Sequence, residues 1–239
     1  MLERYIQHLR TDDPGVEAPA ATRERLKGLF VPGSTRRMTL LGMLVGAVLA
    51  DLQLTEDDAV VYVSAFGEGR AQEDFLMSFP AASPTLFQTS IHPSGVQQGL
   101  IGRQRSVREL FPLAGGGRLA LQGLLTAMLA PAPRAVLVGG EERGTWLVDA
   151  NAVSDRTFAY ALALTRAPGP SPLGRLVLRR VDGGGCPGPS EAADAAGLPL
   201  TGDALKGGLS HSAWFELLRR RQAFAGLVAE GWSLELDWS

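Results

Sequence analysis

The chain is poor in cysteine and histidine and has no long apolar run, and each shortage removes a class of function. Cys186 is the single cysteine among 239 residues. No internal disulfide can form, and a cysteine-based metal cluster is excluded. His8, His92 and His211 are the only histidines; they lie far apart and at no ligand spacing, so no metal site is expected. Neither sign of charge dominates: 23 basic and 25 acidic residues leave a formal net charge of -2, and nothing suggests a nucleic-acid or membrane-surface binder. The longest apolar run, Met38 to Ala50, falls short of the roughly 20 residues that a helix needs to span a bilayer. The first ten residues mix acid and base and do not read as a signal peptide. A cytoplasmic chain without a membrane span is expected. No internal repeat of solenoid length is present.

Apolar residues make up 45% of the chain, enough for a substantial core and for one large domain or one and a half. With 29 glycines and 15 prolines, the chain turns often. "STRRMTLLGMLVGAVLADLQL" predicts a helix, capped by Ser34 or Thr35 and buried on most sides. Gly42 and Gly46 within it allow a close approach to another helix or to a sheet. "AVVYVSAF" (59–66) and "RAVLVGGEE" (134–142) read as short buried strands. A helix is expected near Ser94. Phe158, Tyr160, Leu162 and Leu164 recur at period two, as do Leu176 and Leu178. They predict two antiparallel strands joined by the proline-rich turn "PGPSP". "SAWFELLRRRQAFAGLVAE" reads as a helix capped by Ser210 or Ser212, and "WSLELDW" as a half-buried strand. Three regions follow: 1–181 as the main domain, 182–211 as a flexible Gly/Pro/Ala-rich excursion, and 212–239 as a helix–strand tail packing on the same domain.

"FPLAGGGRLALQGLLTAML" (111–129) carries Gly115, Gly116 and Gly117 directly before a helix with Leu121, Leu124, Leu125, Met128 and Leu129 on one broad face. The helix amides favour a carboxylate, a phosphate or a developing oxyanion. One reading is therefore an acyl or anion site. The other, favoured from sequence chemistry alone, is tight strand-to-helix packing. The stretch matches neither the GxxxxGK[ST] of a phosphate loop nor the GxGxxG of a dinucleotide fold, and no cofactor is expected.

"RRMT" before a buried helix, then "SPTLFQTSIHPSG", "GLIGR", the glycine triplet and "AVLVGGEE" together resemble the N-terminal half of β-ketoacyl synthases. More specifically, they resemble the ketosynthase-like N-terminal family of aryl polyene and related polyketide or lipid clusters, over about residues 34–181. The resemblance implies a thiolase-like α/β half-fold with a mixed sheet and buried helices. In that family a nucleophilic cysteine follows alanine at the turn before the buried helix. Here Ala114 matches the alanine, and Gly115 stands in the cysteine's place. Glycine has no thiol to take an acyl group, so covalent catalysis is not expected. Cys186 does not match the nucleophile, and the chain ends before the second half that carries two histidines in complete synthases. The implied role is a non-catalytic subunit supporting a cysteine-bearing ketosynthase, by analogy with chain-length factors. Ala114, Gly115, Gly116 and Gly117 would form a vestigial acyl or oxyanion pocket. In complete synthases the strand before this turn pairs across the dimer axis, which makes "SVRELFPL" (106–113) the candidate edge.

Other candidates remain. His92 and Ser94 could form a base–nucleophile pair, with Glu141, Glu142 or Asp149 as the acid. That would make the chain an acyl-thioester hydrolase or transferase, although no GxSxG elbow exists. A structural hydrogen bond is the commoner role for such a histidine. Glu141 and Glu142 end a strand, where α/β proteins bind ligands, and a buried polar network is their other reading. Arg103, Arg105 and Arg108, and separately Arg219 to Arg221, could meet an acyl carrier protein, or they could be ordinary solvated faces. The third function class is an acyl- or carrier-binding module, and a homodimer stands beside the heterodimer. The chain's own tail could also cover the face that a second half would cover.

Overall fold

A computed structural model describes residues 1–181 and 208–239. Eight strands form one mixed sheet in the order β3-β2-β4-β5-β1-β6-β8-β7. The strands are β1 (Leu2–Asp12), β2 (Ala59–Ser64), β3 (Glu109–Ala114), β4 (Arg134–Glu141), β5 (Phe158–Thr165), β6 (Gly174–Arg180), β7 (Phe224–Ala229) and β8 (Trp232–Trp238). β2 runs parallel to β3 and β4, and the remaining pairings are antiparallel. The helices are α1 (Pro19–Lys27), α2 (Leu40–Val48), α3 (Gly69–Met77), α4 (Pro84–Thr89), α5 (Ser94–Gly102), α6 (Leu119–Leu129) and α7 (His211–Arg219).

Helices cover both faces of the central strands, which explains why β2 and β4 are apolar at successive positions rather than alternating. Val61, Val63 and Leu137 face α6 and α7, while Val60, Tyr62, Val136 and Val138 face α2. β5 divides its alternation by size. Phe158, Tyr160, Leu162 and Leu164 fill the α6–α7 side, and Ala159, Ala161 and Ala163 let α2 lie close on the other. α2 and α5 meet through glycines: a Cβ on Gly99 would stand 3.1 Å from the Gly46 Cα. The close approach expected of Gly46 is thus made to a helix.

Several sequence expectations change. Thr39, not Ser34 or Thr35, caps α2, its hydroxyl accepting from the Gly42 N–H at 2.9 Å; Ser34–Arg37 form a separate 3-10 turn. β5 and β6 do not pair with each other, because β1 lies between them and is antiparallel to both. The local pattern could not reveal that a strand more than 140 residues away would intervene. The tail helix ends at Arg219, and its expected second half is strand β7, which forms a hairpin with β8. Leu129 is exposed, so the buried stripe of α6 comprises Leu119, Ala120, Leu121, Gly123, Leu124, Ala127 and Met128. Most of the 182–211 stretch lies outside the described residues. At its end, Leu209 is buried and His211 opens α7. β8 extends the sheet from β6, and Trp214, Phe215 and Leu218 of α7 join the same core as α6.

α6 is secured at its C-terminus by a buried cation. Arg4 of β1 is 1% exposed, and its Nη2 donates to the Met128 and Ala130 carbonyls at 3.1 and 2.8 Å. Arg166 adds a bond to the Ala130 carbonyl at 3.1 Å. These are the orphan acceptors at the negative end of a helix. Arg4→Met should therefore lower stability by about 2 kcal/mol. A urea titration should show a lower midpoint at unchanged slope.

Candidate functional site

β3 leaves the sheet at Ala114, which is exposed, and α6 begins at Leu119. Gly115 takes φ +127° and Gly117 φ +47°, conformations that residues with a Cβ avoid. A Cβ built on Gly115, Gly116 or Gly117 meets nothing within 4 Å. Tight packing is therefore not the reason for this triplet, contrary to the reading favoured above; at Gly115 and Gly117 backbone geometry is. The tight approach occurs one turn later, where a Cβ on Gly123 would stand 2.8 Å from Val63 Cγ1. α6 carries no side-chain N-cap and no acid in its first turn.

The triplet forms one wall of a cavity of about 360 Å³. The other walls are the loop Ser154–Arg156 with Phe158, and Leu209 to Ser212 at the start of α7. Its lining includes Glu141, the last residue of β4 and only 3% exposed. Glu141 accepts from Ser64 Oγ at 3.0 Å and from the Ala65 N–H at 2.5 Å, and its Oε1 lies 2.8 Å from His211 Nδ1. That contact places the imidazole proton on Nδ1 in the neutral ring. Nε2 then accepts from the Tyr160 hydroxyl at 3.2 Å. Burial, and then the nearby Glu141 charge, push the Tyr160 hydroxyl far above its usual pKa, so it stays protonated. Both imidazole nitrogens are thus engaged. The network ties α7 to β2, β4 and β5, and it presents neither a nucleophile nor an uncommitted base to the cavity.

The other sequence candidates fall elsewhere. Glu142 is half-buried and accepts from the Leu41 N–H at 3.0 Å, at the start of α2; burial raises its pKa against that bond. Asp149 is exposed. Ser94 Oγ donates to the Thr89 carbonyl at 2.6 Å. His92 makes no hydrogen bond through either nitrogen; its ring stacks on Tyr62 with centroids 5.0 Å apart. No hydrogen bond joins Ser94 to His92, and the structural hydrogen bond expected of this histidine is replaced by stacking. Burial lowers the His92 pKa. Arg103 folds over the Phe30 ring at 5.5 Å and donates to the Leu29 carbonyl, while Arg105 and Arg108 are exposed. Arg219 and Arg220 pair with Glu216. Cys186 lies outside the described residues.

Sequence reading missed two residues. His211 stood out only as isolated, although it directly follows the helix-capping Ser210. Glu68, in the "GEGR" turn after β2, is 2% exposed and accepts from the Gly95 N–H at 2.8 Å, in the first turn of α5. Its Oε2 has no partner, and its Oε1 lies 3.9 Å from His92 Nδ1. Burial pushes its pKa up to about 7. Among the described residues, no group of three or more His, Cys, Asp or Glu could hold a metal ion, and no helix is long and apolar enough to cross a membrane.

No protein-family model and no curated protein sequence matches the chain. Solved structures do match. The chain aligns with a structure of the ketosynthase ApeO in complex with its chain length factor ApeC from Xenorhabdus doucetiae. The TM-score is 0.60 and the identity 19%, over 99% of this chain and 100% of that one. It also aligns with the ishigamide ketosynthase/chain length factor, at a TM-score of 0.54 and 15% identity, over 82% of this chain and 72% of that one. The likeness is one of fold: the chain is a thiolase-like half-fold, structurally related to ketosynthase and chain length factor domains.

Two predictions follow from the site. Gly115→Ala and Gly117→Ala should each cost about 1–2 kcal/mol, whereas Gly116→Ala, with open space and no positive φ, should cost much less; thermal melts separate them. Glu68 binds its proton more tightly in the folded chain, about 7 against 4.5. Its stabilising effect is complete below pH 4.5 and is lost as pH rises through 7, on the order of 2–3 kcal/mol. Glu68→Gln should flatten that part of the stability–pH curve. An unchanged curve in denaturant titrations from pH 4.5 to 8 would contradict the assignment.

Proposed function

We propose that this chain is a non-catalytic ketosynthase-like subunit that supports a cysteine-bearing condensing enzyme. The pathway would be aryl polyene, polyketide or fatty-acid-like synthesis. The observation that carries this reading is Gly115. By the sequence resemblance it would stand where ketosynthases carry their nucleophile; it has no side chain, and its φ of +127° would strain any residue that supplied one. Covalent acyl transfer cannot begin there. The imidazole beside the turn is committed on both nitrogens.

The fold supports a paired role. β3, the strand leading to this turn, is an edge of the sheet, and its outer backbone groups call for a partner. One structure of similar fold is a ketosynthase in complex with its chain length factor, and we carry that type of assembly over to this chain. Its location would be cytoplasmic. Arg105 and Arg108 would face an acyl carrier protein, with Arg103 behind them. The cavity's Phe158, Leu119 and Leu209 favour a second reading, in which the pocket beside Gly115, Gly116 and Gly117 still takes an acyl group; Ala114, proposed with them, does not line it. The hydrolase alternative draws no support from Ser94, whose hydroxyl is committed to Thr89.

The test is size exclusion with light scattering, on the chain alone and mixed with a cysteine-bearing synthase from its gene neighbourhood. A complex with the summed mass of one chain of each is expected. Separate elution at micromolar concentrations would overturn the reading and turn attention to acyl binding by the isolated chain.

A further inference from the structure

The edge strand β3 carries an asymmetry in its hydrogen-bonding groups. It pairs only with β2, with Val60 opposite Leu110, Tyr62 opposite Pro112 and Ser64 opposite Ala114. At the end of the ladder, the Gly115 N–H donates to the Ser64 carbonyl at 3.3 Å. Backbone groups alternate in direction along a strand. Leu113 and Phe111 therefore turn theirs toward β2, and Leu110, Pro112 and Ala114 turn theirs outward. Arg108, ahead of the strand, also donates inward, to the Asp58 carbonyl at 2.8 Å, so the alternation resets at the strand entrance. The proline agrees with this direction. The pairing with β2 runs unbroken past Pro112, which is exposed, and proline is tolerated in an edge strand where its missing N–H faces away from the ladder.

Among the described residues, no strand pairs with the outer side of β3. That side offers the carbonyls of Leu110, Pro112 and Ala114, but N–H donors only at Leu110 and Ala114. A second copy pairing antiparallel about a two-fold axis brings the same deficiency twice. Whether Pro112 meets Pro112, or each meets Leu110 or Ala114 of the other copy, two donors are missing. A strand from a different chain with a full set of donors meets the defect once. We propose that Pro112 is a specificity-determining residue, which disfavours self-pairing of β3 and reserves this edge for a strand of another protein. This rests on reading the chain as a subunit that docks through β3, and it adds which kind of chain can dock.

Each missing hydrogen bond weakens pairing by roughly fivefold to tenfold. Restoring both in a symmetric pair should tighten self-association by about 25- to 100-fold. Sedimentation equilibrium on the chain alone tests this. The wild type should remain monomeric at concentrations where Pro112→Val and Pro112→Ala dimerise. Hydrogen exchange should show the Leu110 and Ala114 amides open in the wild type and protected in the variants. Adding Leu110→Pro to Pro112→Val again leaves one outward donor missing, now at position 110, and should return the monomer.

A wild-type dimer with protected Leu110 and Ala114 amides would overturn the proposal. So would natively folded variants no more associated than the wild type, or a variant dimer that survives Leu110→Pro. Pro112→Ala provides a second replacement should the valine variant fail to fold. Because the chain is measured alone, failure here leaves the mixed-complex experiment free to succeed, and separation from the synthase there leaves this result standing.

Discussion

At the end of β4, the buried carboxylate of Glu141 receives a hydroxyl from β2, an N–H from the residue after β2, and an imidazole N–H from the start of α7. A carboxylate removed from water needs such donors. Here they come from segments far apart in sequence, so satisfying the charge also locks those segments together. The tail could not leave without exposing Glu141 and unpairing His211. The cavity wall that the tail provides is therefore part of the fold.

α6 is held in a comparable way at its two ends. Its C-terminal carbonyls accept from Arg4 and Arg166, while its N-terminus emerges from a turn that only glycine fits comfortably at Gly115 and Gly117. Between these ends, Gly123 brings the helix close against Val63. The turn beside the cavity presents no side chain from residues 115–117. Gly115 has no side chain, and its backbone has settled where one would be strained.

The buried centre and the exposed edge divide the work. β2, β4 and β5 are covered on both faces and supply stability. β3, at the margin, is half-exposed and contains a proline. An edge that lacks one donor still welcomes a strand, but it discriminates between a copy of itself and a different chain by the number of unmatched carbonyls. Pairing and selectivity would then share one short segment, next to the glycine turn that lines the cavity.

The sequence by itself determined the buried strands read at 59–66 and 134–142, which the structure trims to 59–64 and 134–141, together with the period-two alternation of β5 and the β8 strand. These depend on local periodicity and on residue identity, which neighbours in sequence reveal. Tertiary structure alone decided that β1 separates β5 from β6, that "FAGLVA" is a strand, and that Arg4 caps α6. It alone brought His211 to Glu141 and kept His92 apart from Ser94. Each of these depends on groups tens to more than a hundred residues apart, and on burial that changes what a carboxylate or an imidazole must find as a partner. Spacing along the chain carries no record of either.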